Sequence, residues 1–158
     1  MKPIAIIGVG NFLMGDEGVG IHAAKMLRTE FERDDCDIID AGVPSMALLH
    51  MLENRRLVFI IDCADFGGAP GEIDIFHPEE VNREENAEIS LHATDLLTTL
   101  DVGKKIGMEL PPIWIIGIQP GRIEQTMELS EEAEDALSDL PELIENLISS
   151  GTESIVNH

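Results

Sequence analysis

Three carboxylates and one imidazole stand where this chain could do chemistry. Glu17 follows the apolar run Ile4–Ile7 and its glycine-rich loop, Asp40 closes the run from Cys36, and Asp62 closes the run from Leu57. His92, within Ser90-Leu91-His92-Ala93-Thr94, falls at the opening of a later helical pattern. Two carboxylate oxygens and one imidazole make an open ligand set for a borderline divalent ion such as nickel or zinc, with positions left for water or substrate. The residues alone leave open which two acids take part. Each also has a plainer reading: Asp40 and Asp62 as turn or helix caps, His92 as a capping or packed histidine. Asp16 reads as a helix N-cap in preference to a ligand. Cys63, next to Asp62, reads as a small buried residue behind a strand and not as a thiol nucleophile. His22, His50 and His77 have no ligand-like partner spacing and are expected in surface or helical roles.

The loop that carries Glu17 runs Gly8-Val9-Gly10-Asn11-Phe12-Leu13-Met14-Gly15-Asp16-Glu17-Gly18-Val19-Gly20. Its glycines suggest a dinucleotide fingerprint, but the third glycine of that pattern falls on Leu13. Asp16 and Glu17 also sit where a pyrophosphate needs positive potential. Acids beside helix-terminal N–H groups repel phosphate and attract a cation. Gly8 and Gly10 serve close backbone approach instead.

These residues need a scaffold that brings strand ends together. Ile4–Ile7 suits a strand buried on both faces. Val19, Ala23, Met26, Leu27 and Phe31 recur at helical spacing, and Cys36–Asp40 is a second strand. Pro44 suits a first helical turn, with Met46, Leu48, Leu49 and Leu52 on the apolar face of a short helix ending near Asn54. Leu57–Ile61 is a third strand, Cys63–Gly71 a turn-rich loop, and Glu72–Phe76 an edge strand. Residues 78–88 read as a mobile acidic loop with one short turn. Ser90 opens a helix with Leu91, Leu96, Leu97 and Leu100 inward, and Ile113–Ile118 is the last buried strand, stopped at Pro120. Ser130 caps an acidic helix over 131–149, kinked at Pro141. Strands alternating with helices predict a doubly wound α/β sheet, whose functional crevice lies beyond the carboxyl ends of its strands. The acids converge there.

With 158 residues, 44% of them apolar, the chain can bury one good core. A single domain over 1–150 with a frayed tail over 151–158 is expected. The formal charge of −21 argues against nucleic acid and anionic membrane surfaces as partners. Two cysteines, Cys36 and Cys63, form neither a disulfide framework nor a thiolate zinc pattern. Only Met1-Lys2-Pro3 precede the first strand, which leaves no room for a signal peptide, and no apolar run reaches membrane-spanning length. A cytoplasmic protein is expected, with nothing demanding an oligomer.

Five motifs carry a resemblance: the loop Gly8–Gly20, Ile39-Asp40-Ala41-Gly42, Ile60-Ile61-Asp62-Cys63-Ala64, Ser90-Leu91-His92, and Gly117-Ile118-Gln119-Pro120. In type, order and spacing, over residues 3–150, the chain resembles the NiFe-hydrogenase maturation endopeptidases. The resemblance implies a five-stranded, twisted, mostly parallel sheet with helices on both faces. It implies an endopeptidase that removes a C-terminal extension from a hydrogenase large-subunit precursor once nickel is in place. It assigns the metal positions to Glu17, Asp62 and His92, and makes Asp40 a further functional acid. The metal is then nickel recognised on the precursor, with zinc or another divalent ion substituting in isolation. Val43-Pro44-Ser45 departs from the family pattern of a Thr and a Gly, which bears on the shape of that loop and on the choice of precursor. A metal that polarises the scissile carbonyl or its water is one mechanism, and a metal that only anchors the tail beside a carboxylate base is another. The alternative outside the enzyme class is a nickel-binding chaperone or docking module that never cuts.

Overall fold

A computed structural model describes residues 1–81, 90–91 and 95–151 of the chain. Its strands are β1 (Ile4–Val9), β2 (Cys36–Gly42), β3 (Leu57–Asp65), β4 (Ile73–Phe76), β5 (Ser90–Leu91) and β6 (Ile113–Ile118). The α-helices are α1 (Val19–Glu30), α2 (Ala47–Leu52), α3 (Asp95–Lys105), α4 (Glu131–Leu137) and α5 (Leu140–Ser150), with short 3-10 turns at Gly15–Gly18 and Pro78–Glu80. The strands lie in the order β2-β1-β3-β6-β4. β1, β2, β3 and β6 run parallel and β4 closes the edge antiparallel, so the mostly parallel five-stranded sheet expected from sequence is present.

The pleat sorts the apolar residues into two layers. Ile4, Ile6, Phe59, Ile61, Trp114 and Ile116 face α1, α4 and α5, while Ala5, Ile7, Val58, Ile60 and Ile115 face α2 and α3. This explains why β1 and β6 read as unbroken apolar runs: both faces are covered. No described helix is long and apolar enough to cross a membrane.

Four elements depart from expectation. β3 does not stop at Asp62 but continues to Asp65, because β6 pairs with it as far as Cys63 and Ser90–Leu91 pairs antiparallel with Ala64 and Asp65. Asp62 is therefore inside a strand. For the same reason Ser90-Leu91 is strand and not helix, and α3 begins at Asp95. Pro44 lies in the approach to α2, which starts only at Ala47. The acidic helix is two helices, with Pro141 in the first turn of the second. A proline lacks the N–H that a continuous helix requires and its ring crowds the carbonyl four residues back, here Leu137, where α4 ends. Ser130 caps α4 as expected, its hydroxyl accepting from the Ala133 N–H at 3.3 Å. The readings of residues 82–88 as mobile, His92 as near a helix start, and 152–158 as a frayed tail lie outside the described residues.

Candidate functional site

The site is built from the β1–α1 connection laid across the carboxyl end of β3. Gly8 and Gly20 make that crossing possible. A Cβ on Gly8 would stand 2.0 Å from the Gly20 carbonyl oxygen, and one on Gly20 would stand 2.2 Å from that of Ile61 and 2.3 Å from that of Val9. Side chains at either position would lift α1 off the strands. Gly10, at φ 145°, turns the chain out of β1, and a Cβ there would stand 2.1 Å from the Glu17 carbonyl oxygen. The Asn11 N–H donates to that same carbonyl at 3.1 Å, closing the loop that presents Glu17.

Asp62 is completely buried. Its Oδ1 accepts from the Cys63 N–H at 2.7 Å, whereas its Oδ2 has no hydrogen-bond partner among the described residues. Burial pushes the Asp62 carboxyl well above the usual carboxylate range; the Cys63 N–H opposes this and the neighbouring Glu17 charge adds to it. The structure thus brings Glu17 and Asp62 into one electrostatic site. A buried carboxylate oxygen with no described partner, beside a second acid, is a costly arrangement for a free carboxylate, and the chemistry of these two acids suits them to give oxygen donors to a divalent cation. Among the described residues no group of three or more His, Cys, Asp or Glu converges to hold one. His92, the third expected donor, lies outside them.

Asp40 stands apart. Ladder register places Asp40 and Ile61 on either side of Gly8, two strand spacings or about 10 Å across the sheet. By pleat alternation Asp40 shares the α1 side with Ile38 and Asp62 shares the α2–α3 side with Ile60. Asp40 Oδ1 accepts from the Gly42 N–H at 3.1 Å, the turn role that its sequence context allowed.

Asp16 is neither a metal donor nor the cap of α1, whose N-cap is Gly18. Its buried carboxylate instead fastens the loop 119–130 to the site: Oδ2 accepts from the Gly121 N–H at 2.7 Å, the Arg122 N–H at 2.8 Å and the Ser130 hydroxyl at 2.6 Å, and Oδ1 from the Ser130 N–H at 2.8 Å. Burial by itself raises the Asp16 pKa, but these donors together outweigh it and hold the carboxyl below its ordinary value. Gln119 is a second fastener that sequence reasoning passed over. Its side-chain oxygen accepts from the Phe66 and Gly68 N–H groups and its amide donates to Asp65, pinning the end of β3. Its place in the Gly117–Pro120 motif was the available signal. Both cysteines are buried and free. Burial and then the Asp62 charge push the Cys63 thiol well up, and burial with Asp35 pushes Cys36 to about 11, so neither supplies a thiolate at neutral pH.

The profile of the hydrogenase maturation protease family, HycI, matches residues 21–147. The chain belongs to the hydrogenase maturation protease family. It is 29% identical over 155 residues to the hydrogenase 2 maturation protease of Escherichia coli, covering 96% of this chain and 94% of that one. It is 31% identical over 127 residues to the hydrogenase expression/formation protein HupD of Bradyrhizobium diazoefficiens, of which the match covers 64%. The matches to two Azotobacter relatives, HupM and HoxM, each span 59% of the relative's length. Among solved structures, the hydrogenase maturating endopeptidase HybD of E. coli superposes with a TM-score of 0.78 at 27% identity, covering 96% of this chain and 94% of that one. The HycI protease of Thermococcus kodakarensis superposes at 0.73 and 28% identity, covering 90% of each. The family's α/β fold is thus the fold of this chain.

Proposed function

We propose that this hydrogenase maturation protease is a nickel-dependent endopeptidase that removes the C-terminal extension of a nickel-loaded NiFe-hydrogenase large-subunit precursor, acting as a cytoplasmic monomer. One observation carries the reading. In a chain of this family, Asp62 holds a fully buried oxygen with no described hydrogen-bond partner, beside the Glu17 charge. In this reading nickel arrives on the precursor, and Glu17 and Asp62 add oxygen donors to it, with His92 as the third donor from sequence alone; zinc or another divalent ion takes its place in the isolated protein. The bound ion supplies an anchor for the tail and polarisation of the scissile carbonyl. Asp40, two strand spacings from Asp62 at the same edge of the sheet, acts on the tail and not on the ion: it takes a proton from the attacking water or orients it, its carboxylate steadied by the Gly42 N–H. The 3-10 turn at Gly15–Gly18 and the end of β3 hold the donors in place before the precursor arrives, which spares an ordering cost on binding.

The test is intact-mass analysis of three substrates mixed with the protein: the nickel-loaded precursor, the nickel-free precursor and a free peptide copying the junction. Only the first is expected to shorten by a defined C-terminal piece. Equal cutting of all three overturns nickel recognition. Tight binding of the loaded precursor without any shortening favours the non-cleaving nickel chaperone instead. In the same assay Asp40→Asn, whose amide oxygen still accepts the Gly42 N–H, should keep precursor binding and lose most cleavage. Undiminished cutting would leave Asp40 as a turn residue only.

A further inference from the structure

We infer that the carboxyl edge of the sheet carries an apolar collar, Leu13, Val43, Met46, Ile123 and Met127, that docks the folded precursor around the site; the inference rests on the function proposed above. Large apolar side chains that are exposed are few among the described residues. Leu13 (60%), Val43 (56%), Met46 (50%), Ile123 (38%) and Met127 (57%) fall on three loops at this edge, and Met1 and Ile106 lie elsewhere. A chain with a formal charge of −21 has ample polar surface. Apolar side chains gathered on one edge of such a chain mark a surface that a partner covers.

The three loops are one scaffold. The Thr126 N–H donates to the Leu13 carbonyl at 3.0 Å and the Gly15 N–H to the Thr126 carbonyl at 2.8 Å, joining the loop of Leu13 to the loop of Ile123 and Met127. Asp16 clamps the same pair through Gly121, Arg122 and Ser130. The Gly10 N–H donates to the Gly42 carbonyl at 3.0 Å, joining the loop that continues into Val43 and Met46. Glu17 is four residues from Leu13 and Asp40 three from Val43, so the collar is continuous with the candidate site. Loops ordered in advance present these side chains without a folding cost on binding.

Charge selects the occupant. Glu124 and Glu128 flank Ile123 and Met127 and are exposed, and Arg122 is already paired with Glu124 at 3.2 Å. A like-charged second copy of this chain would bring acid against acid, whereas a folded precursor with an apolar patch edged by Lys or Arg satisfies both the collar and its rim. The collar thus reads the body of the precursor, while the buried acids meet its nickel and its tail.

The experiment compares wild type, the triple variant Leu13→Ser/Met46→Ser/Met127→Ser and the control Ile106→Ser on nickel-loaded precursor. Circular dichroism melts confirm that each is folded. The triple variant should raise KM, or the Kd from sedimentation, by about tenfold or more with kcat within about twofold, because truncating buried interface anchors weakens binding and not chemistry. Ile106→Ser should match wild type, and wild-type KM should rise with salt as rim charges are screened. If wild type binds the precursor and the triple variant binds it equally well, the collar is refuted. A wild-type dimer that the triple variant disperses also refutes it, by assigning the collar to a second copy. Wild type that binds without cutting overturns the proposed function while the same tenfold criterion still decides the collar.

Discussion

Replacing Asp16 by Asn tests whether one buried carboxylate fastens the site together. The carboxylate accepts four hydrogen bonds, three at Oδ2 and one at Oδ1, from Gly121, Arg122 and Ser130. An asparagine can offer its oxygen to the first three, which then weaken from charge-assisted to neutral bonds at a loss of about 0.5 kcal/mol each. Its amide nitrogen must then face the Ser130 N–H, leaving that buried donor unpaired at a cost of about 2 kcal/mol. The sum is about 3.5 kcal/mol, which for a domain of this size lowers Tm by about 7–14 °C. Thermal unfolding followed by circular dichroism at neutral pH reads the effect. Limited trypsin digestion reads its location, because the exposed Arg122, once its backbone N–H is no longer clamped by the carboxylate, can adopt the extended backbone that cleavage needs before global unfolding. A Tm drop under about 3 °C, or no new cut at Arg122, would refute the fastening role.

Gly20→Ala should cost about 3 kcal/mol or more, since its Cβ meets two strand carbonyls that cannot move independently, and denaturant titration or loss of soluble protein would register it. Cys63→Ala should leave precursor cleavage within about twofold, because a thiol kept protonated by burial and nearby acids is no nucleophile; loss of cleavage with an unchanged melt would contradict this. Asp37, remote from the site, is held below its ordinary value of 3.8 by the Arg55 guanidinium first and the Lys2 N–H next. A carboxyl whose folded pKa is depressed stabilises the fold above the ordinary value and loses that contribution as pH falls through the folded one. Asp37→Asn should therefore be less stable than wild type at pH 7, and the gap should narrow below about pH 4, as paired melts across pH would reveal.

Local patterning and turn chemistry determined the alternation of strands and helices, an edge strand over Glu72–Phe76, the Ser130 cap and the acids gathered toward the carboxyl edge, because covered strands need apolar runs and the connections need turn chemistry; that the edge strand runs antiparallel came only from its pairing with β6. The family motifs were equally legible, down to the glycines of the β1–α1 loop. The end of β3 was not. Asp62 reads as a strand terminator until Ser90–Leu91 and Ile118 are seen to pair beyond it, and strand pairing is a nonlocal fact that no window of sequence contains. The same holds for Asp16, whose four donors come from residues more than a hundred positions away. An acid at a helix start looks alike whether it caps that helix or holds a distant loop. Only the tertiary structure decided which, by burying the carboxylate where three backbone N–H groups and the Ser130 hydroxyl, all more than a hundred positions away, compensate for lost water.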